Sequence, residues 1–381
     1  MKLEDFGFTK NKTKVESYVL ENQNGMKVTI LSYGATIQSI VIPDKKGVLR
    51  DVVLGYDQVE DYEEHTNYFG ALVGPNANRI ANAQCSIEGV NYQLEKNDGQ
   101  NNLHSGKNGY SKKVWTLCKE PVNLEPWKKL SETQAGEIHD FSYICDSVTL
   151  QLVNEDKEQG FPGKMIATVS YLLDQKNRLY MCYAAKSDCR TVANFTNHSY
   201  FNLNGHSSGK MTGQQLQINA EYYTPVHAGG IPTGVLEKVV GTPMDFTWTK
   251  EIGKEIEADY EQLHLTGGYD HNFVLRKEQG SSKEQGEKQG PQKLISAAKA
   301  WCPESGIGLE VLTDCPGVQF YSGNGVPIHT GKKGASYEDR NGFCLEPQYF
   351  PNAINQEGFE APLTDSNNEY YSWSAFCFQQ E

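Results

Sequence analysis

The strongest regularity along the chain has a period of two. In "SVTLQLV" (147–153), Val148, Leu150 and Leu152 alternate with Thr149 and Gln151. Alternation of this kind puts one set of side chains on each face of a strand. The polar, turn-rich break "NEDKEQGFPG" follows, then "KMIATVSYLLD", the short turn "QKN", and "RLYMCYAAK" with Leu179, Met181 and Tyr183 on one face. Together they predict a β-meander. The stretch "KVTILSYGATIQSIVIP" (27–43) has the same β-branched and aromatic character, interrupted at Gly34. A helical pattern is confined to "KEIGKEIEADYEQLH" (250–264), which predicts one short helix. Strands without intervening helices predict an all-β fold, a large antiparallel β-sandwich with few short helices, rather than a βαβ fold.

Two stretches break the pattern. Residues 119–140 are polar and lack a clear period, and 276–293 are rich in Lys, Glu, Gln and Gly. The second cannot offset its own ordering entropy and reads as a loop. Strand-like sequence resumes after it at "SGIGLEVLTD", so neither stretch marks a boundary. The expectation is a single domain over 1–381 with loop insertions at 119–140 and 277–292.

Composition narrows the partners. The chain has 381 residues, with 35 Lys and Arg against 48 Asp and Glu, a net charge of −13. Phosphate backbones and anionic membranes need clustered positive charge, so neither nucleic acid nor membrane is an expected partner. The N-terminal residues lack the apolar core and cleavage pattern of a secretory signal, and no run approaches the ~18 apolar residues of a membrane span. The nine cysteines are scattered, without zinc-ligand spacing. They read as free thiols in a reducing compartment, and the expected location is cytoplasmic. The 36 Gly, 21 Tyr and 15 Phe suit many strands joined by tight turns.

Motifs for phosphate loops, dinucleotide folds, zincins and α/β-hydrolases are absent. What remains is a set of polar islands: "GPNANRIANA", "QNNLHSGKNGY", "TVANFTNHSYFNLNG", "GGYDHNFVL", "PGVQFYSGN" and "CLEPQYFPNAIN". They contribute Arg79, His104, His198, Asp270, His271, Gln319 and Glu346. Amide and charged groups beside aromatics suit a monosaccharide, whose hydroxyls donate and accept while its apolar face stacks. A histidine such as His198 is either a satisfied strand-edge residue or a proton donor in a pocket. The residues alone leave both readings open.

Taken together, the islands resemble the aldose 1-epimerase family, also called galactose mutarotases. "TNHSYFNL" is the strongest match, with "NRIANA", "NNLHSG", "GYDHNF", "VQFYSGN" and "LEPQYFPNAIN" in the family's order. The resemblance runs from about Ser32 onward and skips the two insertions. It implies the galactose mutarotase-like supersandwich. It also implies interconversion of the α and β anomers of free aldohexoses, galactose and glucose, by ring opening and reclosure. By that resemblance His198 is the general acid and Glu346 the general base. Arg79, His104, Asp270 and Gln319 become sugar ligands, with Asn78 in support.

The chain departs from the common family pattern at Ser105, Pro347 and Asn352, which bears on sugar preference. The implied chemistry needs no metal, nucleotide or redox cofactor. Glu346 is expected to be ionised at neutral pH, and a nearby carboxylate to keep His198 protonated. The rivals are a sugar 6-phosphate 1-epimerase, which wants a basic cluster, and a non-catalytic sugar-binding protein, which would not need His198 and Glu346. A metal held by His104, His198 and a carboxylate is a further alternative, given little weight. The expected partner is an aldohexose, with the protein a monomer or weak homodimer.

Overall fold

The computed structural model describes residues 1–118, 124–127, 141–276 and 291–380. The larger sheet has nine strands. In spatial order they are Thr116–Leu117, Ile144–Asn154, Met165–Asp174, Arg178–Ser187, Tyr370–Gln380, Ile307–Thr313, Ile295–Cys302, Gln215–Ile218 and Lys250–Glu251. Every pairing is antiparallel. The predicted meander is its first half: Leu150 sits opposite Val169, and Val169 opposite Tyr183. Val148, Leu150, Val169, Tyr171, Met181 and Tyr183 point into the main core.

The second sheet has six strands, in the order Tyr200–Phe201, Phe343–Gln348, Gly317–Tyr321, Asp270–Leu275, Ala220–Tyr223 and Glu237–Lys238. Its apolar face, with Phe273, Val318, Phe320, Phe343 and Leu345, packs into the same core. Side chains alternate along a strand, so Asp270, Gln319, Tyr321, Cys344 and Glu346 occupy the other face. That alternation creates the site. A five-stranded sheet of Lys2–Phe8, Lys14–Glu21, Lys27–Leu31, Ile37–Pro43 and Leu49–Asp51 completes the larger elements. The interruption at Gly34 is a turn with φ 65°, where a Cβ would stand 2.6 Å from the Ser111 carbonyl oxygen. Only glycine fits there.

Two expectations need revision. The helix predicted over 250–264 is confined to Glu261–Thr266. Lys250 and Glu251 are instead recruited as an edge strand against Gln215–Leu216. Ile252 and Ile256 still bury, but from turns rather than from one helical face. The stretch 119–140, read as polar, supplies Trp127, only 1% exposed. With Leu124 it covers the outer face of the nine-stranded sheet, against Leu172, Tyr180, Leu312 and Trp373. Residues 119–123, 128–140 and 277–290, the greater part of both expected insertions, lie outside the described residues.

Candidate active site

The polar face of the six-stranded sheet forms the floor of an open cleft of about 170 Å³. Its lining includes Asn78, Arg79, His104, His198, Asp270 and Glu346, six of the seven residues expected from the sequence. The seventh, Gln319, sits directly opposite Glu346 in strand register and donates from Nε2 to Asp270 Oδ1 at 2.7 Å. Its Oε1 has no protein partner. Two further walls, Thr66–Tyr68 and the turn at Gly325 and Val326, lie outside every polar island, whereas Tyr200 and Tyr321, which also line the cleft, belong to two of them. Larger depressions of about 270 and 350 Å³ lie on the outer face of the nine-stranded sheet. Neither is lined by a histidine.

Asn78 and His104 lock each other. His104 donates its backbone N–H to the Asn78 carbonyl, and the Asn78 N–H donates to His104 Nδ1 at 3.1 Å. Both residues are left-handed, with φ 60° and 53°. Burial pushes the His104 pKa well below its ordinary value, reinforced by His198 and Arg79. A neutral ring whose Nδ1 accepts must carry its proton on Nε2. His104 therefore offers a fixed donor. The same tautomer disfavours a metal at His104, His198 and Glu346, although their ligand atoms lie within 4.8 Å of one another. Coordination through Nε2 would need that nitrogen stripped of its proton.

His198 is held flat between two aromatic rings, stacked on Tyr200 at 5.0 Å and on Tyr68 at 5.8 Å. Its backbone is pinned by hydrogen bonds to Ala71 and from Gly70. Its Nε2 stands 3.6 Å from Glu346 Oε2, an oxygen with no hydrogen-bond partner. The amides around it are structural: Asn197 donates to the Gly70 carbonyl, Asn194 accepts from Tyr349 N, and Asn202 ties Gly209 to Asn341. Phe195 and Phe201 belong to the main core rather than to the cleft.

Arg79 bonds Asp98 at 2.8 Å and lies 3.6 Å from Asp270. His271 alternates to the core side, touches Gln262, and is pushed down to about 3 by burial. It is a structural histidine. The departures at Ser105, Pro347 and Asn352 line no part of the cleft. Ser105 ties the Asn76 backbone and Asn352 accepts from Ala81 N.

Burial opposes the expected charge state of both groups. Burial raises Glu346 well above the carboxylate range; the Asp270 charge adds to this and Arg79 opposes it. Burial lowers His198 to about 4. Both shifts favour the uncharged forms of the pair, because separating charge is costly where water is excluded. A stability consequence follows. An unfolded glutamate ionises near 4.5, whereas native Glu346 stays protonated to higher pH. Native stability therefore falls as pH rises through that interval. Glu346→Gln removes this loss. In urea unfolding, its stability relative to wild type should be greater at pH ~7 than at pH ~4. A constant difference across that range would contradict the raised carboxyl.

The family model for aldose 1-epimerase matches residues 16–377. A galactose mutarotase of Bos taurus is 36% identical over 365 residues, covering 96% of this chain and 94% of the relative. An aldose 1-epimerase of Escherichia coli (strain K12) is 34% identical over 364 residues, covering 95% and 94%. Among solved structures, an aldose epimerase homologue from C. elegans superposes with a TM-score of 0.80 at 26% identity, over 96% of this chain and 99% of that one. A galactose 1-epimerase from Lactobacillus acidophilus gives 0.77 at 28% identity, over 100% and 99%.

Proposed function

The chain belongs to the aldose 1-epimerase family, and we propose that His198 and Glu346 carry its reaction, the interconversion of the anomers of free aldohexoses such as galactose and glucose. The observation that supports this assignment is the buried pair itself: Nε2 and an unpartnered carboxylate oxygen 3.6 Å apart, open to the cleft.

Ring opening breaks the C1–O5 bond and forms the C1 carbonyl. The ring oxygen gains a proton while the anomeric hydroxyl loses one. A sugar whose anomeric hydroxyl donates to Glu346 Oε2 stabilises the carboxylate, and the pair's single proton moves to His198. His198 then protonates O5 as Glu346 takes the hydroxyl proton. Rotation about C1–C2 presents the other carbonyl face, and closure returns both protons. Acid and base exchange roles, so the pair ends as it began. Arg79, His104, Asp270 and Gln319 hold the hydroxyls and add a proximity contribution. Asn78 fixes the His104 tautomer.

The same cleft opposes a phosphorylated sugar. Arg79 is the one cationic side chain among its described lining residues, and Asp98 and Asp270 already share it. A phosphate there would face carboxylates without a free counter-charge. Freshly dissolved α-D-galactose and α-D-glucose should lose their excess rotation far faster with the protein than without it. Their 6-phosphates should react with kcat/KM lower by about 10² or more, the worth of ~3 kcal/mol. Equal rates on the phosphates would favour the sugar 6-phosphate reading; binding without acceleration would favour a non-catalytic sugar-binding protein.

The nine cysteines, all among the described residues, form no disulfide with one another, in keeping with a reducing, cytoplasmic setting. No helix among the described residues is long and apolar enough to cross a membrane.

A further inference from the structure

The cleft wall at Thr66–Tyr68 is attached to a chain of hydrogen bonds that the reaction does not use. His329 Nδ1 lies 2.6 Å from the Pro327 carbonyl oxygen. That oxygen only accepts, so Nδ1 carries the proton and the neutral ring presents a lone pair at Nε2. Tyr56 Oη, 3.0 Å from Nε2, must then donate to it. Its remaining lone pair faces Asn67 Nδ2 at 3.4 Å, and Nδ2 is also 3.5 Å from His329 Nε2. Both partners of the Asn67 amide on this side are acceptors, so its nitrogen turns toward them. Its oxygen is left for the cleft that Asn67 lines.

We propose that Asn67 determines substrate affinity by offering Oδ1 to a hydroxyl of the bound aldose, and that His329 is the positioning residue that fixes this orientation through Tyr56. The inference rests on the aldose 1-epimerase reading of the cleft. Asn67 lines the same cleft as Arg79 and Asp270, so it adds a further contact to a sugar held there. The device is sensitive to protons. A protonated His329 would carry N–H at both nitrogens, Tyr56 could no longer donate to it, and the amide of Asn67 would be driven to turn its nitrogen into the cleft.

The groups facing His329 are His65, at 5.0 Å between ring centroids, Asp61 on the helix Val59–Glu64, Tyr56, Phe69 and Tyr337. Burial lowers the His329 pKa first; the Pro327 bond opposes it, His65 reinforces it and Asp61 opposes it. The loss of affinity therefore sets in below the ordinary imidazole range. Burial also raises the Tyr56 phenol, which keeps its proton throughout.

The test separates binding from turnover. Galactose affinity is measured by calorimetry, and kcat by polarimetry, at pH ~7.5 and pH ~5, on either side of the ordinary imidazole value. At the higher pH, Asn67→Ala should weaken galactose by about five- to tenfold with kcat within about twofold, the signature of one lost neutral hydrogen bond. Wild-type affinity should fall by a similar factor on acidification, and this fall should vanish in Asn67→Ala and in His329→Phe. Should His329→Phe fold poorly, Asn67→Ala carries the test alone. Unchanged affinity in Asn67→Ala, or the same acid loss in that variant, overturns the inference. If that happens while wild type still accelerates mutarotation, the functional reading stands. A wild type that binds no galactose overturns both.

Discussion

Under saturating galactose, Glu346→Gln and His198→Asn each lower kcat by about 10² or more, the usual worth of a positioned proton-transfer group. Glutamine keeps the reach of the side chain and removes its proton affinity. Asparagine keeps a donor and an acceptor and removes the titrating ring. Affinity changes less, because Arg79, Asp270 and Gln319 still meet the hydroxyls. The double variant is little worse than the worse single, since both groups serve one concerted step. The pH profile carries the second half of the expectation. Activity needs one proton on the pair. It falls in acid, toward the His198 value of about 4, where a second proton enters, and in alkali, where the raised Glu346 finally ionises. The two apparent values belong to the pair rather than to either residue. His198→Asn should lose the acid limb and Glu346→Gln the alkaline limb. Either variant retaining near-wild-type kcat in polarimetry would remove that residue from proton transfer.

The largest expected loss of stability lies away from the chemistry. Lys332, its side chain 2% exposed, donates to Asp51 at 2.6 Å and to the Gln38 carbonyl at 2.8 Å. This ties the rim that carries Gly325 and Val326 to the N-terminal sheet. Lys332→Met leaves a buried carboxylate without its counter-charge and should cost about 3–5 kcal/mol. Adding Asp51→Asn should recover part of that, because the orphaned charge goes with it. Guanidinium unfolding measures both. A loss under ~1 kcal/mol for Lys332→Met would mean that water already screens the pair.

The parts of this molecule that the chain announces are those governed by period two. Residues 144–187 alternate, and they form three long strands in the expected order. The same rule separates Asp270 from its neighbour His271, but only once the cleft face is known. Strands of two residues, such as Thr196–Asn197 and Tyr200–Phe201, are too short to show a period, so the strip around His198 gave chemistry without geometry. Family resemblance carried the rest of the acid–base set. Tyr68 and Asn67 belong to no polar island, and their role comes from three-dimensional neighbours: His198 for the first, Tyr56 and His329 for the second. Trp127 was hidden because its partners, Tyr180 and Trp373, lie far along the chain and its own segment shows no period. The charge states of Glu346 and His198 were legible only from burial, which reference values leave out.

The strand Tyr370–Gln380 lies in the middle of the nine-stranded sheet, between Arg178–Ser187 and Ile307–Thr313. During synthesis, the meander over 144–187 can form early, yet it must wait for nearly two hundred further residues before its partner leaves the ribosome. The edge of Arg178–Ser187 stands open throughout that interval, joined by that of Ile307–Thr313 once it is made, and each is a template for pairing with the wrong chain. Assembly is dominated by contacts between distant parts of the sequence, which slows the final closure. A nascent chain halted before Tyr370 is thus a molecule with most of its catalytic groups already made and its main sheet still in two halves, a natural client for chaperones.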